Sequence, residues 1–169
     1  MSRFESIIGR LEKAGRAGED AVLVLILTTM IILAAGQIFL RNFMDIGVIW
    51  GDEMLRMLVL WIAVAGAVAA SRDDKHINID VLNRFLPERV ALAVKVLLHL
   101  FTALVCGVVA WHSLAFVQMS REFEDVLLGS IPAWMLQAVL PVGFSLITWR
   151  YSLFTVKEVL KLFGKGQAA

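Results

Sequence analysis

The sequence predicts an all-α membrane protein with four transmembrane helices, both termini cytoplasmic, and an N-terminal interfacial amphipathic helix. Three observations carry this prediction. The 169-residue chain is 59% apolar and 18% charged with a mean hydropathy of +0.78, a composition unlike that of a soluble domain. Its apolar residues are gathered into four long runs instead of being spread at core-facing intervals. Its Lys and Arg residues alternate between dense and sparse along the segments that separate those runs.

Residues 1–19 repeat Phe4, Ile7, Ile8, Leu11 and Ala14 near i, i+3, i+4 and i+7, among Arg3, Glu5, Arg10, Glu12, Lys13 and Arg16. This pattern reads as an amphipathic helix on the membrane surface, with its basic residues toward lipid phosphates. The first span covers about 21–40. Arg10, Lys13 and Arg16 before it invite comparison with a secretory signal, but a run of about 20 residues exceeds the roughly 7–15 of a cleavable core. It also suffices to cross about 30 Å of hydrocarbon at 1.5 Å per residue.

The second span, about 54–71, is entered through Asp52 and Glu53. Acids suit a helix start, where they meet free N–H groups and the positive end of the dipole. At i+4 and i+3 from these acids, Arg56 is placed to pair with either. The third span, about 90–117, follows Pro87, which suits a first helical turn; at this length it must tilt or project beyond the membrane. The fourth, about 132–149, has Ser130 ahead of it as a cap and Pro141 in its middle. A proline there removes the N–H that the Gln137 carbonyl needs, which predicts a kink near Gln137. Residues 150–169 form a basic cytoplasmic tail with Lys157, Lys161 and Lys165. The whole reads as a single four-helix membrane domain.

The Lys and Arg count in successive non-membrane segments is four, one, four, one, four, with the remaining two, Arg56 and Lys95, inside spans. By the positive-inside rule both termini and the second connection are cytoplasmic, and the two sparse connections are outside. Those outer connections are acidic: Asp45, Asp52 and Glu53 in one, Glu122, Glu124 and Asp125 in the other. Trp50, Trp111 and Trp134 fall at outer span ends and Trp149 and Tyr151 at an inner one, as an aromatic belt requires; only Trp61 sits at mid-depth.

Several functions are disfavoured. A single cysteine, Cys106, rules out a disulfide framework or dithiol relay. The absence of a basic stripe argues against nucleic acid as a partner. No Asp or Glu lies deep in a span, where a self-sufficient proton-coupled carrier would need a titrating group. Lys95, His99, Thr102 and Cys106 share one face of the third span, either as a polar track or, as interhelical bonds in membranes more commonly are, as contacts to a neighbouring helix. His99 and His112 raise a haem- or quinone-associated membrane anchor of an oxidoreductase as the alternative, but a haem iron usually needs two axial ligands and the third histidine, His76, lies in a connection. No cofactor or metal site and no catalytic residue is therefore assigned. Ala63, Gly66, Ala67 and Ala70 recur at i, i+3, i+4 and i+7, a small-residue face that admits close approach of another helix.

The segment Asp52-Glu53-Met54-Leu55-Arg56, a small-residue stretch ending Ala70-Ser71-Arg72, and Lys75-His76-Ile77-Asn78-Ile79-Asp80 together resemble the DctQ-like small membrane subunit of tripartite ATP-independent periplasmic (TRAP) transporters. Length, span number and orientation agree with that family along the chain. The resemblance implies a non-enzymatic subunit of the bacterial inner membrane. Its partners would be a large transmembrane subunit, which carries a carboxylate-bearing solute with the sodium gradient, and a periplasmic substrate-binding protein. On this reading Asp52, Glu53, Arg56, Ala63, Gly66, Ala67, Ala70, His76 and Asp80 are structural or partner-contact residues. Asp45, Glu122, Glu124 and Asp125 are expected to help dock the binding protein.

Overall fold

The computed structural model describes residues 2–44, 47, 50–72 and 88–166. Helix α1 spans Ser2–Phe43, α2 Gly51–Ala70 and α3 Glu88–Glu122. A small antiparallel hairpin follows, β1 (Val126–Leu127) against β2 (Ile131–Pro132), and then α4 (Ala133–Gln137) and α5 (Val139–Gly166). Four stretches are long and apolar enough to cross a membrane: Gly15–Phe43, Gly51–Ala70, Val90–Glu122 and Ala133–Lys161.

Residues 2–19 are helical, but they continue into the first span as one 42-residue helix and do not form a separate element. No proline interrupts this stretch, and Gly15 and Gly18 weaken a helix without ending it. Arg16 is followed at i+3 and i+4 by Glu19 and Asp20, a spacing that supports helix through the junction. The tail likewise continues the last span, since α5 runs to Gly166.

The fourth span breaks where its proline predicts. Helix α4 stops at Gln137, Ala138 closes it by donating its N–H to the Trp134 carbonyl, and α5 starts at Val139. Pro141 cannot supply the N–H that would carry the ladder from Gln137 onward. Ser130 does not cap this helix: it lies in the hairpin turn, and Pro132 precedes α4 without a side-chain cap bond. The hairpin had no counterpart in the sequence reading. It turns through Leu128 (φ 54°) and Gly129 (φ 83°), two successive left-handed residues of the kind that tight hairpin turns demand.

The chain divides into two compact units. The first, Met1–Ala69 with Val117–Val139, buries Ile26, Leu58, Val64, Val68, Val117 and Ala133. The second, Ala70–Phe116 with Leu140–Ala169, buries Ala91, Ala103 and Ile147, and also His99, the one large side chain fully buried among the described residues. Hydroxyls in the spans mostly satisfy themselves one turn back: Thr29 to Leu25, Thr102 to Leu98, Ser113 to Val109, Thr148 to Phe144 and Ser152 to Thr148, at 2.6–2.9 Å. Such bonds make an apolar surrounding tolerable without a partner helix.

Candidate partner-contact site

The start of α2 is assembled from contacts made by its first three residues. Gly51 is buried, and a Cβ there would meet the end of the Gln37 side chain, so a larger residue would have to displace that amide from Asp52. The Gln37 amide, in the orientation that pairs both its atoms, accepts from the Asp52 N–H at 3.2 Å and donates to Asp52 Oδ1 at 3.3 Å. Asp52 therefore joins the end of α1 to the first turn of α2, where N–H groups have no partner within the helix.

Glu53 reaches the hairpin. Its Oε2 accepts from the Leu128 N–H at 2.8 Å, a charge-assisted bond to the residue held at positive φ. The expected pairing with Arg56 is thus replaced: Arg56 is exposed and makes no ion pair with either acid. The acids have bonds to Gln37 and to a backbone amide, contacts that sequence spacing within one helix does not reveal.

Asp125 holds the opposite side of the hairpin. Its Oδ2 accepts from Ser120 Oγ at 2.9 Å, its N–H donates to the Ser120 carbonyl at 3.1 Å, and its carbonyl accepts from the Ala133 N–H at 2.8 Å. The Arg121 guanidinium lies 5.7 Å from the Trp134 ring centroid, within cation–π range. Glu122 and Glu124 are exposed, with Glu124 at φ 52°. The four acids expected to dock a binding protein therefore differ: Glu122 and Glu124 face outward, Asp125 also frames the turn, and Asp45 lies outside the described residues. His76 and Asp80 lie outside them as well.

Deeper along α2, Trp61 Nε1 donates to the Leu136 carbonyl at 2.9 Å. This explains the one tryptophan that departs from the aromatic belt. An indole N–H at mid-span needs an acceptor, and α4 supplies one in the last turn before its break.

Among the described residues, one stripe of α2 is largely exposed. Asp52, Arg56, Val59, Ala63, Ala67 and Ala70 are exposed, and nothing lies within 4 Å of where a Gly66 Cβ would be. Their spacing of four, three, four, then three or four residues traces one helix face, distinct from the face that buries Leu58, Val64 and Val68. Among the described residues the small-residue face is therefore exposed and apart from the buried one.

In the second unit, His99 lies with its ring centroid 5.8 Å from those of both Tyr151 and Phe154. Arg150 Nη1 donates to the buried Ser71 Oγ at 3.2 Å. The proposed polar face of α3 does not act as one unit: His99 packs among aromatics, Thr102 bonds its own helix, and Lys95 and Cys106 are half-buried. His112 is exposed. Among the described residues no group of three or more His, Cys, Asp or Glu side chains could hold a metal ion.

Four apolar helices, a small polar hairpin and an exposed small-residue face on α2 are the features of a multi-pass membrane protein. Residues 30–161 match the family described as tripartite ATP-independent periplasmic transporters, DctQ component, and the chain belongs to that family. It is 24% identical over 144 residues to the sialic acid TRAP transporter small permease protein SiaQ of Vibrio cholerae, covering 85% of this chain and 82% of that one. It is 27% identical over 122 residues to the C4-dicarboxylate TRAP transporter small permease protein DctQ of Rhodobacter capsulatus, covering 70% of this chain and 52% of that one. It is also 24% identical over 103 residues to the isethionate TRAP transporter permease protein DctMQ of Oleidesulfovibrio alaskensis, covering 60% of this chain and 16% of that one. The family is a transporter permease subunit of the bacterial inner membrane and not an enzyme, which leaves the oxidoreductase-anchor alternative without support.

Proposed function

We propose that this chain is the small permease subunit of a sodium-driven TRAP system for small organic solutes bearing an anionic group. It scaffolds a large transport subunit and helps dock a periplasmic binding protein. The observation that carries the scaffolding role is how little of its membrane surface it covers itself. Only 6%, 17%, 11% and 11% of the most apolar stretches of the four spans are buried within the chain. Lipid can cover most of that surface, but the stripe from Arg56 to Ala70 is shaped for close approach of another helix. The match to a short part of a much longer permease protein favours a large permease chain as that neighbour.

The relatives support the solute class: sialic acid, C4-dicarboxylates and ectoine carry carboxylates, and isethionate a sulfonate. The shared chemistry is a small organic solute bearing an anionic carboxylate or sulfonate group. The distribution of Lys and Arg supports an orientation with both termini inside and the hairpin outside. Glu122 and Glu124 then face the compartment where a binding protein would arrive.

The test is uptake into proteoliposomes containing the cognate large subunit, with this chain, the binding protein and a sodium gradient each present or omitted. Uptake that requires all three supports the proposal. Equal uptake without this chain, or uptake by this chain alone, overturns it. For docking, neutralising Glu122 and Glu124 together should raise the binding-protein concentration for half-maximal uptake severalfold, and an unchanged value counts against that role.

A further inference from the structure

Two hydrogen bonds join α2 to the chain that follows α3, and they are in step. Glu53 holds Leu128 and Trp61 holds Leu136, so each pair spans the same 75 positions. Eight residues separate the two grips on α2, a rise of about 12 Å. One grip therefore lies at the mouth of the helix and the other two turns deeper. Between them runs the hairpin turn, β2 and α4, parallel to α2 in chain direction.

This segment needs an external hold. Beyond Gln137 the ladder is interrupted, because Pro141 offers no N–H, and Gln137 Oε1 is buried without a hydrogen-bond partner. Helix α4 has only five residues, too few to be stable alone. The hairpin has two-residue strands and turns through a leucine at positive φ, a conformation that persists only where surroundings impose it. The compact first unit includes this segment and most of α2, and ends at Val139, beside the break.

We propose that Glu53 and Trp61 are positioning residues, a two-point clamp by which α2 fixes the hairpin and α4. Glu53 sets the turn through the Leu128 amide, and Trp61 sets the depth of α4 through the Leu136 carbonyl. The functional consequence, that a fixed hairpin favours docking of the binding protein, rests on the reading given under Proposed function.

The test is amide exchange on the complete complex with its large subunit, comparing Glu53→Ala, Glu53→Gln and Trp61→Phe. Exchange in peptides covering 126–133 should rise about tenfold or more in Glu53→Ala. It should rise only about threefold in Glu53→Gln, because the amide oxygen can still accept. Trp61→Phe, which keeps the ring and loses the N–H, should raise exchange in 133–138 while peptides from α1 stay unchanged. Hairpin exchange within twofold of wild type in Glu53→Ala, or α4 exchange unmoved by Trp61→Phe, overturns the clamp. If exchange rises as stated and the binding-protein concentration for half-maximal uptake does not move, the clamp stands and the docking reading fails. Should Glu53→Ala prevent assembly, Glu53→Gln and Trp61→Phe carry the test, and unmoved exchange in either overturns it.

Discussion

At the scale of single residues, the start of α2 depends on one missing methyl group. Gly51→Ala would push the Gln37 amide off Asp52, and the hydrogen bonds given up cost about 1 kcal/mol. Thermal melting of the purified protein should show a lowered midpoint. The double variant Gly51→Ala with Gln37→Ala should melt no lower than Gly51→Ala alone, because the two changes remove the same bonds. A second prediction concerns Leu128 at φ 54°. Leu128→Ile places a β-branched side chain where it is least tolerated, costing about 1–3 kcal/mol, whereas Leu128→Gly fits the turn. Limited proteolysis between 126 and 132 should separate the two, with faster cleavage in the isoleucine variant. Some of this detail was legible beforehand: acids at a helix start, and a mid-span tryptophan that belonged to no belt. Their partners were not, since Gln37, Leu128 and Leu136 lie far off in the sequence and Leu128 and Leu136 contribute only backbone atoms, which no side-chain pattern encodes.

At the scale of elements, the broken fourth span was the most readable feature. A proline in the middle of an apolar run removes one specific hydrogen bond, and the break falls four residues before it, between α4 and α5. Pro141→Ala should restore an N–H to the Gln137 carbonyl and join the two helices. Amide exchange over 138–142 should slow, and spin labels on either side of the break should report a straighter, narrower distance distribution. Unchanged exchange would mean that packing, not the proline, maintains the break. The hairpin escaped the sequence reading because its strands are only two residues long, too short for alternation to register. The junction of the N-terminal segment with span one escaped it for a different reason. Amphipathicity reports which face is apolar, and says nothing about where one helix ends and the next begins.

At the scale of the whole molecule, the composition and the four apolar runs were sufficient for the membrane class. The alternation of charge adds the orientation, which the account keeps as a proposal. What the chain contacts was legible only in outline. Ala63, Gly66, Ala67 and Ala70 announced a close-packing face, but spacing alone could not tell an internal contact from an external one; among the described residues Ala63, Ala67 and Ala70 are exposed and a Gly66 side chain would meet nothing within 4 Å. Arg56 and Val59 extend the same stripe toward the helix start. A substitution there should spare the chain itself and damage only its assembly, which is the signature of a contact surface.

The most direct measurement is therefore assembly: co-express the tagged chain with its cognate large subunit, purify through the tag, and quantify the large subunit recovered with wild type and with Gly66→Leu. The account predicts a stable wild-type complex and at least a tenfold loss of recovery in Gly66→Leu, equivalent to about 1.4 kcal/mol or more, with expression and melting of the variant chain unchanged. A wild-type chain that purifies free of the large subunit, or a Gly66→Leu chain that recovers it in full, would contradict the account.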